Sequence, residues 1–157
     1  MPVKFIVDAN VGKLTKWLRL MGHDAIFFDG RNDGDMIALA FSEDRTILTR
    51  DTHIMEWGVV KSGRVNTLLI ENDDPEAQIC QVLRDLHIEV PGNPFTVCLE
   101  CNVPLVDIAR EDVKNRVPPY VFRTQANFLE CPKCRRIYWR GTHWQSMVKR
   151  LENLSCS

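Results

Sequence analysis

Long hydrophobic runs are missing from this chain of 157 residues. No apolar stretch approaches the roughly 20 residues that a helix needs to cross a bilayer, which argues against a membrane-spanning protein. Internal repeats and low-complexity tracts are missing too, so solenoids and disordered tails are set aside. The short run Val3-Lys-Phe-Ile-Val7 meets Asp8 at once, and no small-residue cleavage site follows it. It reads as a first strand rather than an export signal. Net charge is nearly absent, at −1, but this value hides a split. Residues 1–97 hold 10 of the 20 Lys+Arg against 15 of the 21 Asp+Glu, whereas residues 98–157 hold 10 against 6. A basic half attracts nucleic acid phosphate and clustered acid attracts metal cations, although ordinary surface scatter gives the same counts.

What the chain does contain is the composition of a soluble globular protein, 45% hydrophobic and 26% charged. Its length fits one ordinary domain, or one of about 100 residues with a small appended module. The first 90 residues alternate strand and helix patterns. Val3–Val7, Ala25–Phe28, Thr46–Thr49 and Thr67–Ile70 read as short buried strands. Between them, Leu14, Trp17, Leu18 and Met21 share one helix face, which Gly22 ends, and a second helix carries Met36, Ile37, Leu39, Ala40 and Phe41 behind a cap at Asp33 or Asp35. Pro75 opens a third helix, with Ile79, Val82, Leu83 and Leu86 on one face. Short strands joined by helices imply an α/β fold with a parallel sheet covered on both sides. Val90-Pro-Gly-Asn-Pro94 breaks the pattern, so a boundary is expected there, with units 1–94 and 95–157. Thr142-His-Trp-Gln145 reads as a capping box opening a final helix with the stripe Trp144, Met147, Val148 and Leu151.

Two Cys-x-x-Cys pairs, Cys98/Cys101 and Cys131/Cys134, are separated by 29 residues. Four thiolates on two such turns can surround one zinc ion tetrahedrally, leaving no position open for water, so the expected zinc is structural. The competing reading, two redox pairs, needs each Cys-x-x-Cys at the start of a helix that follows a strand. Six cysteines without an export signal place the chain in the reducing cytoplasm. Cys80 and Cys156 are left as spare thiols, one buried and one exposed. Around the quartet lie Lys133, Arg135, Arg136, Tyr138, Trp139, Arg140, His143 and Trp144, with Arg123 a little before. Cations interleaved with aromatics suit phosphate contact and base stacking on single-stranded nucleic acid. Alternatively Tyr138 and Trp139 build a small ribbon core, which the arginines only solvate.

Asp8 directly follows the first strand and Asp51 the third, so both reach the carboxyl edge of a parallel sheet, where such proteins bind ligands. Asp35, with Asp33 nearby, brings a third carboxylate to that edge. Converging carboxylates repel unless a cation neutralises them, and hard oxygen ligands suit Mg²⁺ or Mn²⁺. Any one of these acids alone would pass as a helix cap or turn residue. An aspartyl-phosphate phosphatase also places an aspartate after its first strand, but the acid it needs two residues later is here Asn10.

With Val7-Asp-Ala-Asn10, Gly12-Lys-Leu-Thr-Lys-Trp-Leu-Arg19, Leu48-Thr-Arg-Asp51, the two Cys-x-x-Cys pairs and Tyr138-Trp-Arg-Gly-Thr-His-Trp144, the chain resembles a known family over nearly its whole length. It is similar to the PIN-like RNase domain with a zinc ribbon, first named from the carboxyl end of the mut-seven exonuclease. The resemblance implies a PIN-like sheet, a divalent-metal site on Asp8, Asp35 and Asp51, zinc on the four cysteines, and RNA as substrate. The expected protein is a Mg- or Mn-dependent ribonuclease, with Lys13, Lys16 or Arg50 holding the backbone near the metal and Arg136, Trp139 and Arg140 on the flanking strand. Two further readings stay open, a non-catalytic RNA-binding adaptor and a partner module of the toxin and antitoxin kind.

Overall fold

The computed structural model describes residues 3–30, 32–154 and 156. Four strands form a parallel sheet: β1 (Lys4–Asp8), β2 (Ala25–Phe28), β3 (Arg45–Thr49) and β4 (Thr67–Leu69), in the order β2-β1-β3-β4. Between them run α1 (Leu14–Leu20), α2 (Asp33–Glu43) and the single turn α3 (Gly58–Lys61), and after β4 comes α4 (Pro75–Asp85). Strand side chains alternate between faces, and that period sorts the core into two layers. Phe5, Val7 and Leu48 pack with Leu14, Leu18, Ile79 and Val82 of α1 and α4. Ile6 and Ile47 turn the other way, onto Met36, Ile37 and Ala40 of α2 and Val60 of α3. The sheet is therefore covered on both faces, as its apolar strands require.

The helix ends explain two local differences from the sequence reading. Asn32, not Asp33 or Asp35, caps α2: its backbone is extended, and its Oδ1 accepts from the Gly34 and Asp35 amides at 2.7 and 3.3 Å. Asp33 and Asp35 already lie in the first helical turn, where their charge favours the helix dipole but no capping bond is made. After α1, Gly22 adopts φ +90°, and a Cβ there would lie 2.3 Å from the Asn93 carbonyl oxygen, so only glycine allows the chain to turn against that segment.

A second, antiparallel sheet follows, with β5 (Val106–Ile108), β6 (Phe128–Glu130) and β7 (Ile137–Tyr138) in the order β5-β6-β7, and the short α5 (Pro119–Thr124) between β5 and β6. Its small core is Val113, Val121 and Phe128, with Ile137 and Trp139 packed against it. The last helix, α6 (Thr142–Glu152), starts at Gly141, and Thr142 makes no capping bond, so the expected capping box is not formed. Gln145 instead donates to the Arg140 carbonyl at 3.3 Å.

The apolar stripe of α6 packs on the parallel-sheet layer, while Trp144 also meets Phe95 edge-on at 5.0 Å. Leu151 is buried in that core, with Trp144, Met147 and Val148 beside it. Burying a leucine of this kind contributes about 1.5–3 kcal/mol. Arg150 pairs with Glu76 of α4 at 3.0 Å. Cys156 is disulfide-bonded to Cys80 of α4, across 76 residues of sequence. Neither is a spare thiol: α6 crosses α4 and brings together two cysteines whose distance in sequence gave no hint of the pairing. Among the described residues, no helix is long and apolar enough to cross a membrane.

Candidate functional site

In the order β2-β1-β3-β4 the chain leaves β1 toward one side for β2 and returns on the other for β3. The segments leaving the carboxyl ends of β1 and β3 therefore diverge, and the crevice between them is where open parallel sheets bind ligands. Asp8 closes β1 there, and Thr49 closes β3 beside it. Two polar clamps join the diverging segments. The Thr49 hydroxyl, fully buried, donates to Asp8 Oδ2 at 2.7 Å and accepts from the Asp51 amide at 3.0 Å. Asn10 Nδ2 donates to the same Asp8 oxygen at 3.2 Å, while its Oδ1 accepts from the Arg50 amide at 3.1 Å. Asp8 Oδ1 caps the turn Ala9–Val11 and Asp51 Oδ1 caps Thr52–Glu56, accepting from the Ala9 and His53 amides at 2.8 and 2.9 Å. Each carboxylate is thus oriented by its own turn, and both are half-buried.

The third acid comes from α2. Burial raises the Asp33 carboxyl above its usual range, and the charges of Asp51 and Asp8 push it the same way against a smaller pull from His53. Asp33 therefore shares the field of the two strand-end acids. Asp35 lies two residues along the same turn and is exposed. Trp57, 43% exposed, packs over this turn: a Cβ on Gly34 would meet its ring at 3.3 Å. On the other flank lie Lys13, Lys16 and the exposed ring of Phe27, lining a groove of about 1010 Å³ that begins at Ala9 and Asn10. Lys16 is paired with Glu100 at 3.0 Å. Arg50 Nη1 is buried and has no hydrogen-bond partner among the described residues.

The four cysteines converge. Their sulfurs lie within 4.8 Å of one another, and among the described residues this is the group of three or more His, Cys, Asp or Glu gathered tightly enough to hold a metal ion. Its two halves repeat one another. The Cys98 and Cys131 amides donate to the Val103 and Arg136 carbonyls at 2.9 and 3.0 Å. Asn102 and Arg135, each following the second cysteine of its pair, adopt φ +60° and +67° and donate to the Cys98 and Cys131 carbonyls at 3.0 and 2.9 Å. A tetrahedral ion with bonds of about 2.3 Å to sulfur separates its ligands by about 3.8 Å. The Cys98 and Cys134 sulfurs are 3.8 Å apart. Desolvation and the neighbouring thiols Cys134, Cys131 and Cys98 push the Cys101 thiol up to about 12. The quartet is thus able to hold a metal such as zinc, and with four protein ligands it leaves no open position. Neither pair opens a helix, so the redox alternative loses its geometry.

The ribbon's aromatics divide between the two roles weighed for them. Tyr138 supports the cysteines: its hydroxyl lies 3.1 Å from Cys98 Sγ and accepts from the Leu99 amide at 3.1 Å. Trp139 packs edge-on against Phe128 and also borders a groove of about 990 Å³. Arg136 is exposed on the same groove. Arg140 lies 5.6 Å from the ring centroids of both Phe95 and Trp144. Long-range bonds lock the ribbon to the sheet layer. Buried Arg19 donates to the Leu99 and Glu100 carbonyls at 2.8 and 3.2 Å. Asn102 accepts from the Ala25 amide at 2.9 Å and donates to Asp24 at 2.6 Å.

Sequence reasoning passed over Thr49 and gave Asn10 no role at the acid edge. A threonine at a strand's last residue, two before an aspartate, was the available signal. No curated protein and no solved structure matches the chain. The family model described as the Mut7-C RNAse domain matches residues 3–151. With that match over nearly the whole chain, on a parallel α/β sheet followed by a four-cysteine module, the chain belongs to the Mut7-C RNAse domain family.

Proposed function

We propose that the protein is a metal-dependent ribonuclease with a PIN-like catalytic sheet, cutting RNA at the crevice between β1 and β3, and that its ribbon holds a structural zinc ion. The observation that carries this reading is the Thr49 hydroxyl, which binds the Asp8 carboxylate and the Asp51 backbone amide and so ties together the strand ends that carry the two acids. Burial and the charges of Asp51 and Asp8 raise the Asp33 carboxyl, and because these acids are not gathered as tightly as the cysteines, a cation would draw them together on binding. Asp8, Asp51 and the α2 turn carrying Asp33 and Asp35 would hold Mg²⁺ or Mn²⁺, which when bound supplies activated water and neutralises charge on the phosphate. The carboxylates serve as ligands, that of Asp8 oriented in advance by Thr49, Asn10 and its capping turn and that of Asp51 by its own capping turn.

RNA as substrate is supported by the family and by the groups around the crevice. Lys13 and Lys16 line the groove beside the acids and supply cations for phosphates, Arg50, whose Nη1 is buried, lies between Thr49 and Asp51, and Trp57 offers an exposed ring on which a base can stack. Under this reading residues 1–94 carry the chemistry and residues 95–157 grip the flanking strand through Arg136, Trp139 and Arg140. The experiment is cleavage of end-labelled single-stranded RNA by zinc-loaded protein, with Mn²⁺, with Mg²⁺ or with no added divalent ion, beside Asp8→Asn and Asp51→Asn. Metal-dependent cleavage that disappears in both folded variants is expected. Retained RNA binding without cleavage under any metal would select the adaptor reading instead.

A further inference from the structure

The crevice groove and the ribbon groove meet. Lys16, Leu99, Glu100 and Met147 line both, so the two form one continuous depression from Ala9 and Asn10, beside the strand-end acids, to Trp139 and Arg136 on the ribbon. Its walls are rich in cations and rings: Lys13 and Lys16 on the crevice side, Arg116, Arg136 and His143 on the ribbon side. Opposing charges are few. Asp73 borders the crevice groove, and Glu130, which Arg116 and Arg135 contact at 2.8 and 3.2 Å, is buried beneath the ribbon. Glu100 is different. It stands where the grooves join, exposed, with its carboxylate 3.0 Å from the Lys16 ammonium. A carboxylate on a lysine at the middle of a basic path occupies the place that a phosphate oxygen would take.

Resting on the nuclease reading for its choice of ligand, we propose that a single strand of RNA follows the whole depression, and that at its middle a phosphate replaces the Glu100 carboxylate on Lys16. The ion pair is then a built-in competitor. Glu100 keeps Lys16 in position when the groove is empty and weakens binding of strands long enough to cross it. A strand too short to reach this junction from either end does not meet the competition. Both partners are exposed, so exchanging one anion for another at Lys16 costs little desolvation.

The test is fluorescence anisotropy with labelled oligouridylate of about 16 and about 4 nucleotides, which bracket the usual span of a single-strand groove. It uses full-length, zinc-loaded protein without Mg²⁺ or Mn²⁺, so that no cleavage interferes. Glu100→Gln is expected to tighten the long probe about five-fold, the effect of removing one unit charge at contact range in water. Lys16→Gln and Arg136→Gln are expected to weaken the long probe, and Arg136→Gln to weaken it more than the short one. Unchanged affinity for the long probe in Glu100→Gln would overturn the proposal, as would equal losses for both probes in Arg136→Gln. Should Glu100→Gln lose zinc, Lys16→Gln decides: no weakening of the long probe refutes the path. Binding is read apart from cleavage, so these binding results without any nuclease activity would sink the nuclease reading and leave the strand path standing.

Discussion

Thr49→Val isolates the arrangement on which the catalytic reading depends. The substitution keeps the shape of a fully buried side chain and removes only its hydroxyl. Two bonds go: the donation to Asp8 Oδ2 at 2.7 Å and the acceptance from the Asp51 amide at 3.0 Å. A bond to a charged group contributes roughly 1.5–3 kcal/mol and a neutral one roughly 0.5–1.5. Asp8 is half-buried and keeps its bond from Asn10, so the loss falls toward the lower end, about 2 kcal/mol of folding stability. The effect on activity is expected to be larger in proportion, because partners that orient metal ligands are worth about 10–100-fold. Single-turnover cleavage of labelled RNA should therefore slow by that factor, and the Mn²⁺ concentration giving half-maximal rate should rise. A merely structural threonine would lower the urea midpoint and leave the metal dependence alone. A variant that stays folded and cuts with wild-type rate and metal dependence would refute the argument that Thr49 sets the Asp8 carboxylate and the backbone of Asp51.

Two further outcomes follow from other parts of the molecule. Metal analysis of the native protein should find one zinc per chain, and Cys131→Ser, which removes a buried ligand, should lose it together with ribbon structure, since a structural zinc supplies much of the folding energy of so small a module; protein isolated folded and without zinc would contradict this. Burial holds His23 below its ordinary value, only partly opposed by its bond with the Val3 backbone, so the unfolded chain takes up the proton first. Stability should then be complete above the unfolded value of 6.5, fall as pH drops below it and level off under the lower folded value. Urea midpoints across that range should show a shallower decline in His23→Phe, whose ring keeps the edge-on contact with Phe5, and parallel declines in the two proteins would argue against it.

Much of this architecture was legible because it is local. The strands Ala25–Phe28 and Thr46–Thr49 were visible as short apolar runs, and the observed β2 and β3 match them to within a residue. The same locality placed Asp8 and Asp51 at the carboxyl ends of β1 and β3, and Cys-x-x-Cys spacing alone is enough to predict a thiol quartet. Caps were read less well. Asn32, Asp33 and Asp35 are all good capping residues, and only the extended backbone of Asn32 decides among them. The strand layout brought the α2 acids to the edge of Asp8 and Asp51, but which of Asp33 and Asp35 shares their field depends on how α2 settles against the sheet.

The contacts that stayed hidden are those joining residues far apart in the chain, and they change how the zinc module relates to the sheet. Arg19 of α1 reaches the Leu99 and Glu100 carbonyls inside the first cysteine turn, and Asn102, closing that turn, holds both Asp24 and the Ala25 amide at the start of β2. One face of the metal module thus supplies hydrogen bonds that the edge of the parallel sheet would otherwise lack. Asn102 can do so because its left-handed backbone, which asparagine tolerates better than most residues, turns its side chain out of the cysteine loop. The helix beyond the ribbon then buries Leu151 in the sheet's own core. Loss of a metal ion held by the cysteines would loosen their turn first, and through Arg19 and Asn102 that loosening would reach α1 and β2. These elements flank β1, whose last residue is Asp8, so under the proposed function the order of the acid edge would depend on a cysteine site that takes no part in its chemistry.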